Sequence, residues 1–510
     1  MFHLREHRTT VGSEVRGGLV TFLTLSYIIF VQPAVLAATG MPPADVFFAT
    51  CVCSALACFL MGLLANYPFA LAPAMGHNFF FAYTVCLGMG FAWQEALMAN
   101  LIAGGVFLAL SFLGLREAVM HAVPEGLKYA IAVGIGLLIA FSGLQWGGLV
   151  QNSDATLVQL GPLTSPVVLV SLAGVALTAV LLALRLRAAI LVGIVCTAIL
   201  ALVVTGDGLR YQPANGLEVI PAARVGERAD ALVLGRADPV EPVPLEKVKM
   251  TLAKWPGTWH LPKWPGETFG AAVTSGWDLF RNRDWTSILL VIFIFFFLDM
   301  FDTVGTLIGV GERAGFLDAE GHLPRARRAL FSDAAGTVAG SLVGTSTVTT
   351  YIESAAGVES GARTGLAAIV TGICLLLALF LSPLVHVVGA GVEFVRAETA
   401  EPLVQVAAGT VTVVPLRPVI APVLVLIGVM MVGSVAKIRW SDYSEAIPAF
   451  LAIIVMQFSF SITDGIAWGF ISYALLKTVT GRARELHWLV ALFAVLFIGQ
   501  YVARAVLIGR

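Results

Sequence analysis

Ile288-Leu-Leu-Val-Ile-Phe-Ile-Phe-Phe-Phe-Leu-Asp299-Met-Phe-Asp302-Thr-Val-Gly-Thr-Leu-Ile308 is an apolar run long enough to cross a bilayer as a helix, with two carboxylates near its middle. On insertion scales each acid at membrane depth costs roughly 2.5–3.5 kcal/mol, so such residues are kept for a site rather than for stability. Spaced three apart, Asp299 and Asp302 project from one helical face, toward protein or water rather than lipid. The stretch predicts a helical membrane protein with a polar site in its interior.

Composition agrees. Of 510 residues, 58% are hydrophobic and 12% charged, where a soluble domain carries about a quarter charged residues. Mean hydropathy is +0.88. A formal net charge of −1 gives no footprint for nucleic acid. The N-terminal Met1-Phe-His-Leu-Arg-Glu-His-Arg8 has charges but no small-residue cleavage site before the first apolar run, so no cleaved signal is expected. Cys51, Cys53, Cys58, Cys86, Cys196 and Cys374 all lie in apolar segments without partner histidines. They read as buried thiols, and neither a metal site nor a cofactor is expected.

Working outward, apolar spans fall near 17–39, 46–66, 68–89, 96–114, 125–147, 166–186 and 188–205. A second set falls near 286–309, 328–344, 346–363, 364–388, 418–437, 446–463 and 464–479. The fold class is thus an all-α polytopic membrane protein with about 14 transmembrane segments in two sets of seven. Four regions follow: 1–205, a polar insert at 206–284, 285–480, and a C-terminal apolar helix in 481–510, spanning or interfacial. The insert carries two Lys-Trp-Pro-Gly copies, Lys254–Gly257 and Lys263–Gly266, and reads as a small extracytoplasmic cap or loop.

Charge bias sets the orientation. With the N-terminus cytoplasmic, the inner loops carry Arg116 and Lys128, Arg185 and Arg187, Arg313 and Arg325, Arg327 and Arg328, Lys437 and Arg439, and Arg482 and Arg484. The opposite short loops, Gly40–Asp45, Gly90–Glu95 and Gln151–Ser165, carry no Lys or Arg.

The third segment of each set is a poor helix. Tyr67-Pro-Phe-Ala-Leu-Ala-Pro73-Ala-Met-Gly76-His77-Asn78 holds two prolines and a glycine before an aromatic run. Gly344-Thr-Ser-Thr-Val-Thr-Thr350-Tyr-Ile-Glu353-Ser-Ala-Ala-Gly357 holds a β-branched stretch ahead of a helical turn. Interrupted spans at matching places predict an inverted-repeat transporter with short strands at both breaks and half-helix N-termini aimed at the midplane.

Glu353 is a candidate ligand carboxylate for the N–H groups of a small planar substrate, with helix capping as its ordinary alternative. Asn78 can bind a carbonyl and a ring nitrogen, or brace the break. Phe79 offers a face for a heteroaromatic ring, and Thr350 a hydroxyl to the same site. Asp299 and Asp302 divide between substrate and proton, because two nearby carboxylates in low dielectric repel and favour one holding a proton. His77 is a second proton candidate. Thr303 and Thr306 can satisfy their own helix backbone, and Asp333, beside a small-residue face, is assigned no chemistry.

Three motifs carry a resemblance: Ala72-Pro-Ala-Met-Gly-His-Asn78-Phe-Phe-Phe-Ala-Tyr-Thr84, Phe301-Asp302-Thr-Val-Gly-Thr-Leu307, and Gly344-Thr-Ser-Thr-Val-Thr-Thr-Tyr-Ile-Glu353-Ser-Ala-Ala-Gly-Val358. Together with Thr21-Phe-Leu-Thr-Leu-Ser-Tyr-Ile-Ile-Phe-Val-Gln-Pro33, they resemble the AzgA-like purine permeases, similar in fold to the uracil permeases. The resemblance implies import of hypoxanthine, adenine and guanine with protons across a bacterial-type inner membrane. It implies that Asn78, Asp299, Asp302 and Glu353 serve binding and coupling. It also implies a core of helices 1–4 and 8–11 and a gate of helices 5–7 and 12–14. The partners expected are thus a purine, a proton and the lipid bilayer, with a homodimer compatible. His77 stands where that family usually has leucine, which bears on the choice of purine. A sodium-coupled nucleobase transporter, or one for xanthine or uracil, is the alternative. Two aspartates on one segment suit an ion site better than the dyad of an intramembrane enzyme.

Overall fold

The computed structural model describes the chain except residues 1, 114–122, 154–155, 206–208, 211–216, 222–247, 254–262, 319–322, 390, 397–401, 408–415 and 509–510. Arg116, the first Lys-Trp-Pro-Gly copy and most of the insert therefore lie outside the described residues. Among the described residues, seven helices are long and apolar enough to cross a membrane, and four more apolar helices are shorter. The chain divides into two compact units.

The first unit comprises Met1–Ile139, Leu261–Phe380 and Gly428–Arg510. It opens with α1 (Val11–Leu25) and α2 (Ile28–Leu36), which meet at a turn at Ser26-Tyr27 within one apolar stretch, Val11–Thr39, that contains the span expected near 17–39. Next come α3 (Pro43–Leu60), β1 (Leu71–Pro73), α4 (Met75–Phe79) and α5 (Trp93–Leu113). α6 (Glu125–Trp146) begins in this unit. From the second half come α9 (Trp285–Ala314), α10 (Ala326–Val343), β7 (Val348–Thr350), α11 (Ser354–Glu359) and α12 (Gly365–Ala378). Small residues let these helices touch backbone to backbone: a methyl group added at Gly18 would lie 2.5 Å from the Ala367 carbonyl, and one at Gly62 2.6 Å from that of Gly365. Glu14, fully buried, closes the start of α12 by accepting from the Arg363 and Thr364 N–H groups at 2.9 and 3.2 Å.

Helices α15 (Tyr443–Ser459), α16 (Ile462–Val479) and α17 (Trp488–Ile508) also belong to this unit. The core-and-gate division implied by the resemblance placed the first two in the gate. In this unit α16 and α17 set aromatic rings against α9, with Phe297 5.6 Å from Phe470 and Phe293 4.5 Å from Phe493, and α15 packs along α16. α17 runs antiparallel beside α16, with Tyr501 Oη donating to Asp464 Oδ1 at 2.8 Å near the start of α16.

The second unit comprises Ala140–His260 and Leu381–Ile427. It holds α7 (Pro166–Ala183), α8 (Ala189–Thr205), α13 (Ser382–Gly389), most of α14 (Ala421–Val432) and a hairpin of β2 (Val150–Ser153) and β3 (Leu157–Leu160). Its other feature is an antiparallel five-stranded sheet, ordered β4-β6-β8-β9-β5. β4 (Leu209–Arg210), β5 (Leu217–Pro221) and β6 (Val248–Thr251) come from the insert. β8 (Glu393–Arg396) and β9 (Pro402–Ala407) come from between α13 and α14. The insert is thus no isolated loop: its strands pair with a segment 142 to 190 residues away, a partner no local pattern announces.

Candidate functional site

β1 and β7 pair antiparallel, with Leu71 opposite Thr350, Ala72 opposite Thr349 and Pro73 opposite Val348. Strands at both breaks are what the sequence predicts, and the pair joins the two halves of the chain. Ala74 N donates to Thr347 O and Tyr351 N to Ala70 O, each at 2.9 Å, so the ladder closes where α4 and α11 begin. Water is scarce at this depth, and a two-stranded ribbon survives only if its outer edges also find partners. Side chains supply them. Leu71 N donates to Cys58 Sγ at 3.2 Å, and Ala70 N to Ser354 Oγ at 2.9 Å. Thr337 Oγ1 donates to Val348 O and accepts from Val348 N, while Thr350 N donates to Asp333 Oδ1 at 2.9 Å. Pro73, which lacks an N–H, occupies a strand position where it loses little.

The acids take distinct positions around this ribbon. Asp299 and Asp302 are about 60° apart around α9, enough to separate their surroundings. Asp299 is buried, and its Oδ2 lies 3.2 Å from Thr337 Oγ1, whose single proton can go to this carboxylate instead of to Val348 O. Asp302 is accessible, yet within electrostatic reach of Asp333 and Glu353, which places its carboxylate at the site rather than toward lipid. The shared face expected from spacing is thus divided: one aspartate braces the fold and the other faces open space. Thr303, expected to satisfy its own helix, instead donates to Asp333 Oδ2 at 2.7 Å and meets Thr349 Oγ1 at 2.8 Å.

Glu353 precedes α11 but makes no side-chain cap there. Its Oε1 accepts from Tyr27 Oη at 2.6 Å, and its side chain is only partly buried. The capping alternative therefore does not account for it. Tyr351, 6.4 Å from the Tyr27 ring, donates its hydroxyl to Pro73 O at 2.5 Å and holds the far side of the break.

Asn78 lies in the first turns of α4, fully buried, with Nδ2 donating to Gln32 Oε1 at 2.7 Å. His77 is buried too, and neither ring nitrogen has a hydrogen-bond partner among the described residues. A proton there would be an uncompensated buried charge, unlike one on Asp302. Phe79 is packed face to face with Tyr83 at 5.5 Å. Thr350 directs both its N–H and its hydroxyl at Asp333 Oδ1. Asp299, Asp302, Thr350 and Glu353 are thus brought around one ribbon, while Phe79 and His77 are packed in protein.

Sequence reasoning missed Tyr27, Gln32 and Asp333. Asp333 had the same signal as Asp299, a carboxylate inside a spanning helix, and that signal applied equally. Tyr27 and Gln32 stood out only as polar residues within an apolar first span.

The match to known proteins is consistent with this geometry. The permease family model (Xan_ur_permease) matches residues 12–250 and 268–394. The chain belongs to that family, and is an integral membrane transporter rather than an intramembrane enzyme. It is 38% identical to a putative permease of Methanocaldococcus jannaschii, over 98% of this chain and 97% of that one. It is 38% identical to the adenine permease AdeP of Escherichia coli, over 98% and 95%. It is 37% identical to the guanine/hypoxanthine permease PbuG of Bacillus subtilis, over 98% of each. The resemblance to AzgA-like permeases is borne out. Among solved structures, the transmembrane domain of the cyanobacterial bicarbonate transporter BicA superposes with a TM-score of 0.54 at 14% identity, covering 89% of this chain and 97% of that one. That likeness shows the fold alone.

Proposed function

We propose that this permease imports purine nucleobases by proton symport across a bacterial-type inner membrane, with its N-terminus in the cytoplasm. The observation that carries the reading is Glu353. Its carboxylate, partly accessible at the start of a half-helix and held by Tyr27 rather than by the helix end, is set to accept N–H groups of a planar base. The names of relatives 37–38% identical over nearly the whole chain, adenine and guanine/hypoxanthine permeases, support the substrate class. In this reading Asn78 contacts the base, while Asp299, Thr350 and Asp333 keep the ribbon in register beside it. The two inverted repeats run over 1–205 and 285–480, supported by β1/α4 and β7/α11 at the third position of each.

Asp302 carries the coupling proton, being the accessible carboxylate among close acidic neighbours. One positive charge moving inward gains about 2.3 kcal/mol per 100 mV, or about fifty-fold accumulation. The test is labelled hypoxanthine uptake into proteoliposomes under an imposed proton gradient. Wild type should accumulate substrate. Asp302→Asn should lose accumulation while retaining exchange of internal for external base. Accumulation driven by sodium alone overturns the coupling.

A further inference from the structure

Two buried asparagines of the first unit differ in one respect. Asn100 has both ends of its amide engaged: Nδ2 donates to Ser341 Oγ at 2.8 Å, and Oδ1 accepts from Thr347 Oγ1 at 2.6 Å. Ser341 spends its own proton on Thr337 O at 2.9 Å, so it can only accept from Asn100. That amide cannot turn over.

Asn78 is engaged at one end only. Its Oδ1 is buried without a partner among the described residues, a state that proteins rarely leave unanswered. Its Nδ2 bonds Gln32 Oε1, and Gln32 Nε2 in turn donates to Thr345 Oγ1 at 3.0 Å and Ser346 Oγ at 2.8 Å. Neither hydroxyl has another side-chain or carbonyl partner among the described residues, so each can donate as readily as accept. Turn both amides over and the bonds between them and to the two hydroxyls are remade, and only the long contact from Asn78 Nδ2 to Met75 Sδ, at 3.8 Å, is given up. Thr345 and Ser346 then donate to Gln32 Oε1, Gln32 Nε2 donates to Asn78 Oδ1, and Asn78 shows its NH2 where its oxygen stood.

We propose that the Gln32–Asn78 amide pair is an invertible hydrogen-bond contact, offering an acceptor to oxopurines and a donor to aminopurines at one substrate edge. Gln32 is its positioning residue. The inference rests on the purine reading. Hypoxanthine and guanine carry a ring N–H beside a carbonyl where adenine carries a bare ring nitrogen beside an amino group. A locked amide matches one pattern and leaves an unpaired polar group against the other.

The test locks the pair and reads selectivity rather than rate. Gln32→Glu cannot donate to Asn78, which must then keep its oxygen toward the substrate. Asn78→Asp presents oxygen in either orientation. Gln32→Met, neutral and able only to accept weakly, covers the case in which the acidic variants do not reach the membrane. In proteoliposomes, hypoxanthine and adenine compete against labelled purine uptake. The ratio of their inhibition constants should move about tenfold toward hypoxanthine, in the same direction for every variant that inserts. A merely structural role would raise both constants together and leave the ratio unchanged, which overturns the proposal, as does a shift toward adenine. Wild-type uptake that neither base inhibits would instead sink the purine reading itself.

Discussion

Two polar clusters in the first unit are built from similar acids and held in opposite ways. Around the β1–β7 ribbon, Asp299, Asp333 and Glu353 accept from hydroxyls and peptide N–H groups: Thr303, Thr337, Thr350 and Tyr27. Where α15, α16 and the turn before α17 meet, acids face cations. Lys477, fully buried, bonds Glu445 at 2.9 Å and Glu485 at 2.8 Å, and Arg482 bonds Asp442 at 2.8 Å and Glu485 at 2.7 Å. Hydrogen bonds from neutral donors can be exchanged for a ligand or a proton with little reorganisation. A paired buried cation cannot, because removing its partner leaves a charge uncompensated. The first cluster is suited to transactions and the second to holding helices together.

Substitutions should separate the two. Glu353→Gln keeps a partner for Tyr27 and the shape of the site but loses the charge that an N–H-bearing base would meet. Purine uptake should fall about 100-fold, with thermal stability in detergent nearly unchanged. Unaltered affinity would place the ligand carboxylate elsewhere. Lys477→Met should do the reverse, lowering the melting temperature by several degrees while the KM of the surviving transporter stays put. A large KM change there would erase the distinction. The smallest effect concerns acid. Arg482 and then Lys477 hold the Glu485 carboxyl down at about 2, and hydrogen bonds from Arg482 and Ser444 lower that of Asp442. An acid depressed in the folded state contributes stability that is complete above its unfolded value and lost as pH falls through the folded one. Thermal stability should therefore decline from about pH 4.5 toward 2. Arg482→Ala should flatten that decline, and superimposable acid limbs would remove the cluster from the account.

Much of the first cluster could be read from the chain because the membrane makes polarity conspicuous. Glu353, Asp299, Asp302 and the two broken segments stood out against apolar runs that leave charge no ordinary explanation. The same reasoning divided the aspartates between substrate and proton but left open which takes which, since three-residue spacing says which side of a helix they share but not which neighbour each meets. His77 and Phe79 were candidates by type, and packing removed both from open space. The insert was legible only as a small external cap or loop, because its strands pair with 393–407 across a sequence separation that local pattern cannot bridge.

By itself the sequence determined that this is a polytopic membrane protein with two matched interruptions and acids at their level. Hydrophobic length, proline and β-branching act locally and leave their mark in order along the chain. Only the tertiary structure decided that Asp302 is accessible while Asp299 braces the ribbon, that Tyr27 holds Glu353, and that Gln32 holds Asn78. Those outcomes depend on hydrogen bonds between residues 38 to more than 300 positions apart, whose directions are set by how helices pack and not by any one helix's own sequence.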